Sequence, residues 1–299
     1  QVGGPGVHVL ALSCHVLAAI SVGAIARLLW QDERLAGIAA LLFAVHPVQV
    51  ESVAWISALP SVLSGMFVVL VVRAALSWSW RNGPGERRLP WSVAWLLLGA
   101  ILAKESGVIA LPLLAVVILS SPARGSAPAR RLLVLTAAVC AAWFALRVAI
   151  VGHRPVLGEG FSWAAGAAQM VARQTLLLVW PWPLTPLRAP PFEVGSAALD
   201  AVALVAVVVF LWAVAARWGR FTPRWRVVTA LLTIPILFAA LTYDAVGPHP
   251  LVDRYLYVAV VGLALGVTAV TRRMPACALA LLAVHGVLSL VQCHVWQND

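Results

Sequence analysis

Long apolar runs, interrupted at intervals by Arg, Pro and Gly, make up most of this 299-residue chain. The runs do not alternate apolar and polar residues, so they indicate helices rather than the strands of a membrane barrel. A helix needs about 20 mainly apolar residues to cross a bilayer core about 30 Å thick. The pattern predicts an all-α, polytopic membrane protein with about ten transmembrane helices.

The predicted spans follow one another along the chain. They cover residues 7–30, 35–45, 57–77, 91–103, 107–119, 132–151, 200–216, 227–241, 255–270 and 277–295. We expect residues 1–299 to form one transmembrane domain in which segment 153–198 stays external. Within that segment, residues 163–180 are predicted to form an interfacial helix, with tryptophan anchors and a polar face at Arg173 and Gln174.

Composition and charge fix the predicted orientation. The chain is 62% hydrophobic and 11% charged, with a net charge of +10. In a membrane protein the positive charge reflects topology, so we predict no nucleic-acid partner. Fifteen of the 21 basic residues lie at alternate helix ends, which are expected to be cytoplasmic: Arg27, Arg34, Arg73, Arg81, Arg87, Arg88, Arg124, Arg130, Arg131, Arg217, Arg220, Arg224, Arg226, Arg272 and Arg273.

Three polar segments interrupt the apolar pattern, and this orientation places all three on the external side. The His-Pro segment is residues 46–52 (HPVQVES), the Lys-Glu segment is residues 104–106 (KES), and the Asp-Arg-Tyr segment is residues 252–255 (VDRY). Ionisable groups at membrane depth are functional by default. The three segments are therefore the candidate functional site.

Each polar segment also has a simpler interpretation. The His-Pro segment could be a solvated turn, Lys104 a snorkelling lysine paired across helices, and Arg254 part of an interfacial cap. Against this, the short flanking runs would place Lys104 below the surface in a cavity, where a basic group suits the phosphate of a lipid-linked substrate. Arg254 is the best fork-shaped phosphate donor on this side. Both interpretations stay open at this point.

Metal and disulfide chemistry are not indicated. The four cysteines all lie within apolar runs, and the spacing of Asp244 and His249 fits no standard metal signature. We predict no metal ligands and no certain cofactor, and a requirement for a divalent cation is left open.

Longer stretches around the polar segments resemble a known family. Residues 42–56 (LFAVHPVQVESVAWI), 102–107 (LAKESG), 253–257 (DRYLY) and 178–184 (LVWPWPL) are similar, in the same order, to the transmembrane and tetratricopeptide-repeat O-mannosyltransferases and their bacterial relatives. The resemblance covers nearly the whole chain. It implies the fold of a C-superfamily glycosyltransferase, and we expect tetratricopeptide repeats after Asp299.

The resemblance also implies an activity. Members of this superfamily take a sugar from a polyprenyl phosphate, usually with inversion, and act on the external face. An acceptor hydroxyl needs a carboxylate for its proton, and a phosphate leaving group needs cationic stabilisation. Glu51 and His46 are thus the candidate catalytic residues, and Lys104 and Arg254 the candidate phosphate ligands.

Four neighbouring residues are predicted to support this site: Gln49, Glu105, Asp253 and Tyr255. Two features depart from the resemblance. The principal base of the superfamily lies in a first external loop, which we expect before Gln1. Residues 58–61 (ALPS) also stand where relatives carry charged residues, so substrate contacts differ or activity is reduced.

The favoured hypothesis is a hexosyltransferase in the bacterial inner membrane with a periplasmic active face. Its predicted partners are the lipid bilayer, a polyprenyl-phosphate-linked mannose or other hexose, and a protein or glycan acceptor. Two alternatives remain. One is an inactive membrane anchor for external tetratricopeptide repeats; the other is a lipid-glycan transporter, which should show inverted repeats.

Overall fold

A computed structural model of the chain consists of helices and their connections. It describes residues 5–81, 89–152, 160–182, 197–243 and 253–295, and no strand occurs in these ranges. The α-helices in these ranges are α1 Pro5–Trp30, α2 Glu33–Ala44, α3 Gln49–Ala54, α4 Leu59–Arg81, α5 Trp91–Ala103, α6 Ala110–Leu119, α7 Ala127–Val151, α8 Gly160–Val179, α9 Ala197–Arg217, α10 Pro223–Leu241, α11 Ala259–Val270 and α12 Pro275–Val295. The all-α prediction is confirmed for this part of the chain.

Five of the helical stretches are long and apolar enough to cross a membrane. They are Pro5–Trp30, Ile56–Trp80, Ala127–Val151, Pro223–Leu241 and Pro275–His294. A helix that is apolar on all sides must lie in a protein core or in lipid. The chain is therefore an integral membrane protein.

Several other predicted spans are short helices. The runs predicted at 35–45 and 255–270 correspond to α2 and α11, which have 12 residues each and so are only about 18 Å long. Pro47 lacks a backbone N–H and cannot continue α2. Before α11 the chain forms a short 3₁₀ helix, Asp253–Leu256. Both interruptions therefore fall at the predicted polar segments.

Small residues bring the central helices close together. Gly23 of α1 faces α2, where an added Cβ would lie 3.0 Å from the carbonyl oxygen of Ala36. Gly262 of α11 faces the backbone of α10, where an added Cβ would collide with Leu232. Close approach through small residues is the usual packing mode of helices in membranes, because lipid removes the hydrophobic drive between them.

The outer helices expose apolar surface. On α7, Val134 and Ile150 are 70% and 74% exposed, and α12 exposes Val287 and Leu290. Contiguous apolar surface of this kind is unusual in a soluble monomer. In a bilayer it is the surface that faces lipid.

The helices have two distinguishable ends. One cavity lies where α1, α4 and α6 end and α10 begins. It is lined by Trp30, Trp80, Pro122 and Trp225. We call this the Arg-rich end, because Arg27 and Arg224 lie beside it. The opposite ends of α4, α6 and α10 carry the predicted polar segments.

The predicted interfacial helix differs in one respect from the structure. Helix α8 occupies Gly160–Val179, close to the predicted 163–180. Arg173 is exposed, but Gln174 is buried. The predicted polar face is therefore wrong for Gln174, because α8 turns this side toward other helices. Residues 153–159 and 183–196 of the predicted external segment lie outside the described residues.

Candidate functional site

The structure brings the three polar segments into contact at one end of the helices. Helix α3 carries Glu51 to the 3₁₀ helix Asp253–Leu256. Lys104 has an extended backbone (φ −162°, ψ 145°) between α5 and a second 3₁₀ helix, Glu105–Ile109. That helix packs closely on α5 at Gly107, where a Cβ would collide with Ala100. Residues separated by up to about 200 positions thus form one site, which we call the polar cluster: Glu51, Lys104, Asp253, Arg254 and Tyr255.

A partly buried ion pair joins the His-Pro and Asp-Arg-Tyr segments. Arg254 Nη1 donates to Glu51 Oε1 at 2.6 Å, and the backbone N–H of Asp253 donates to Glu51 Oε2 at 2.7 Å. The side chains of Arg254 and Glu51 are 18% and 3% exposed. Both oxygens of the carboxylate are therefore occupied in this conformation, and Glu51 fixes the position of Arg254.

The surroundings of Glu51 raise its pKa above the ordinary value. Burial is the largest cause, and the nearby Asp253 carboxylate adds to it; Arg254 and the Asp253 amide act in the opposite direction. Desolvation penalises the charged form of a carboxyl group, which a nearby cation offsets. Glu51 is thus a more basic carboxylate than a solvated glutamate.

Aromatic rings hold the two cations of the cluster. The guanidinium carbon of Arg254 lies 4.7 Å from the ring centroid of Trp55 and 5.4 Å from that of Tyr255. Lys104 Nζ lies 4.9 Å from the Tyr255 ring and donates to Ser61 Oγ at 2.8 Å. Cation–π contacts of this kind stabilise a partly desolvated charge without neutralising it.

The pKa of Lys104 is lowered from its usual value. Burial and then the positive charge of Arg254 lower it, whereas the carboxylates of Glu105 and Glu51 raise it. Two cations held near each other favour an anion between them, because an anion relieves both desolvation and mutual repulsion. Lys104 and Arg254 also line the same small cavity, together with Ser61 and Ser64.

A larger cavity of about 620 Å³ adjoins the cluster. Lys104, Glu105 and Tyr255 lie on its polar side, and its remaining wall comes mainly from α7 and α10. That wall is largely apolar, with aromatic side chains at Trp143 and Phe144. A cavity with a cationic end and an apolar wall matches a ligand that carries a phosphate on a hydrocarbon chain.

His46 lies away from the polar cluster. Its Nδ1 accepts a hydrogen bond from the Val48 amide at 3.3 Å, so its Nε2 carries the proton and donates to the Leu178 carbonyl at 3.1 Å. Burial and the neighbouring His285 lower its pKa to about 3, although the bond to Leu178 acts against this. The imidazole is therefore neutral and ties the His-Pro segment to α8.

Gln49 joins the His-Pro segment to the chain just after the cluster. Its Nε2 donates to the Tyr257 carbonyl at 3.3 Å. The Tyr257 ring fills the space beside Gly65, where a Cβ would collide with it. On its other side, the Tyr257 hydroxyl lies 3.0 Å from Nδ1 of His15. This buried layer supports the cluster from beneath.

The sequence did not predict the part that three residues play in this site: Trp55, Ser61 and Arg147. Arg147 lines the larger cavity from within an apolar helix. A lone arginine in a membrane span is itself a functional signal, so the sequence could have identified it. The contacts of Trp55 and Ser61 depend on tertiary structure.

Among the described residues, no group of three or more His, Cys, Asp or Glu side chains could hold a metal ion. Comparisons of the chain with protein-family models, curated proteins and solved structures give no match.

Proposed function

We propose that the protein is a membrane glycosyltransferase that moves a hexose from a polyprenyl-phosphate donor to a protein or glycan acceptor. One observation carries the proposal. Two cations in contact with aromatic rings, Lys104 and Arg254, line one small cavity. Lys104 also lines the larger, partly apolar cavity, and Arg254 pairs with a carboxylate of raised pKa. This combination suits a lipid-linked phosphate leaving group and a nearby proton acceptor.

In the proposed reaction the acceptor hydroxyl attacks C1 of the sugar. The bond from C1 to the phosphate oxygen breaks, and the polyprenyl phosphate leaves with its charge stabilised by Lys104 and Arg254. The hydroxyl proton passes to a carboxylate. Glu51 fills this role once Arg254 turns from it to the phosphate, because the loss of that ion pair frees Oε1.

The arrangement of the chain in the membrane is also part of this proposal. We propose ten spans, with the short helices included, an orientation in which the polar cluster faces the periplasm of a bacterial inner membrane, and an Arg-rich end in the cytoplasm. Helices α5 and α6 have 13 and 10 residues, or about 20 and 15 Å. Lys104, at their junction, would then lie beneath the membrane surface, within reach of a lipid phosphate.

A second function is favoured by the occupied state of Glu51. With both of its oxygens engaged and Arg254 already neutralised, the site could bind a lipid phosphate without transferring the sugar. The protein would then be an inactive anchor for external repeats. Donor binding without sugar release would support this alternative.

The decisive assay follows a labelled hexose from polyprenyl phosphate in membranes that contain the full-length protein. We expect Lys104→Met and Arg254→Met each to lower release by about 100-fold, and Glu51→Gln by at least about 100-fold. Arg272→Met is the matched control, because Arg272 is exposed and follows α11 whereas Arg254 precedes it. Full activity in all three cluster variants at normal expression would overturn the proposal.

A further inference from the structure

A second cationic region lies at the Arg-rich end, remote from the polar cluster. Two cavities of about 440 Å³ each are found there, and Trp80 and Arg224 line both of them. Arg27 lies on the first, and Trp30 and Trp225 lie on the second. Among the described residues, no carboxylate lines either cavity. Each cavity is far larger than the roughly 30 Å³ share of one water molecule.

Two of the tryptophans that line these cavities carry hydrogen-bond donors without a partner in the described residues. The indole Nε1 atoms of Trp30 and Trp80 are buried and have no hydrogen-bond partner within the described ranges. Buried donors in native proteins almost always have a partner. The ring of Trp30 packs against Trp225, with centroids 5.7 Å apart, which holds its indole in place. Within the described ranges, the two N–H groups therefore remain donors without an acceptor, on residues that line the cavities.

The beginning of α10 adds to the positive field. Helix α10 has 19 residues, starts at Pro223, and receives no side-chain cap from Thr222. Its first amides are therefore available, and the positive end of its dipole lies beside Arg224. Uncapped helix amides beside a guanidinium favour the binding of an anion.

We propose that these cavities bind the phosphate of an anionic phospholipid headgroup. A lipid fits better than a soluble anion for two reasons. The cavities lie at the ends of helices that cross the membrane, and their lining combines cations with apolar and aromatic groups such as Leu28 and Pro122. Tryptophan at this level is typical of the headgroup region. This inference is independent of the proposed sugar transfer.

The test titrates the detergent-solubilised full-length protein with phosphatidylglycerol or phosphatidylcholine and follows binding by native mass spectrometry. We expect phosphatidylglycerol to bind preferentially. Arg224→Gln should weaken its binding about fivefold, and Trp80→Phe, which removes the indole N–H but keeps an aromatic ring, about two- to threefold. Arg131→Gln, an exposed arginine of α7 outside both cavities, should change binding less than about twofold.

Three outcomes would overturn the proposal. Equal losses in Arg224→Gln and Arg131→Gln would mean that surface charge alone attracts the lipid. Equal binding of the two lipids would show that the cavities do not select an anionic headgroup. Full displacement by glycerol 3-phosphate would assign the site to a soluble phosphate ester. Thermal unfolding without lipid checks that each variant folds; if Arg224→Gln does not, unchanged binding in Trp80→Phe overturns the proposal by itself.

Discussion

The two ends of the helices hold charge in opposite ways. In the polar cluster, the buried Glu51 carboxylate and the partly buried Arg254 meet at 2.6 Å, and aromatic rings cover the cation. At the Arg-rich end, the Arg27–Glu33 pair is 3.5 Å apart, with side chains 59% and 76% exposed. A charge removed from water needs a nearby partner, whereas an exposed charge is solvated. The two pairs therefore differ in how strongly each charge depends on its partner.

The largest effect on stability is expected from the ion pairs. Arg254→Met leaves the Glu51 carboxylate buried without its cation and should destabilise the protein by about 3 kcal/mol. Arg27→Met removes an exposed and long pair, and should cost less than about 0.5 kcal/mol. Chemical unfolding in detergent measures both. Equal costs would contradict the distinction between the ends.

A smaller effect is expected from glycines. Gly65→Ala would force a methyl group into the ring of Tyr257, beneath the cluster, and overpacking of this kind typically costs about 1–3 kcal/mol. Gly219, near the Arg-rich end, has nothing within 4 Å of an added Cβ, so Gly219→Ala should be close to neutral. Thermal midpoints of the two variants give the test. If Gly65→Ala lowers the thermal midpoint no more than Gly219→Ala does, Tyr257 does not support the cluster.

The smallest expected effect is a pH dependence of stability at Glu51. Its folded pKa is raised, so the protonated group contributes stability that is fully present below the unfolded value of about 4.3. That stability is lost as the pH rises through the folded pKa. The thermal midpoint of the parent minus that of Glu51→Gln should therefore become smaller as the pH rises above about 4.3. A difference that grows over this range would show that Arg254 dominates instead.

Periodicity and charge were enough to predict helices, several spans and the three polar segments. Pro47 marks the end of α2, and Lys104 marks the break between α5 and the next helix. Both are local signals. A sequence can carry them without any knowledge of packing, because backbone geometry and desolvation act at the residue itself.

The contacts within the site could not be predicted in this way. The sequence around Glu51 does not indicate that its carboxylate accepts a hydrogen bond from the Asp253 amide. Nor does the sequence around Ser61 indicate that its hydroxyl accepts a hydrogen bond from Lys104. The burial of Gln174 was also missed, since it depends on which side of α8 packs inward. These features arise from long-range packing, and the sequence pattern of a single helix contains no information about that packing.

We propose that the polar cluster holds a donor phosphate. Binding of a polyprenyl-phosphate hexose to the full-length protein, in nanodiscs of phosphatidylcholine, tests it most directly. We predict that Lys104→Met and Arg254→Met each weaken binding by about tenfold or more, since hydrogen bonds to charged groups are worth about 1.5–3 kcal/mol, while Arg272→Met leaves it unchanged. Binding that is equal in all three variants and the parent would contradict the account.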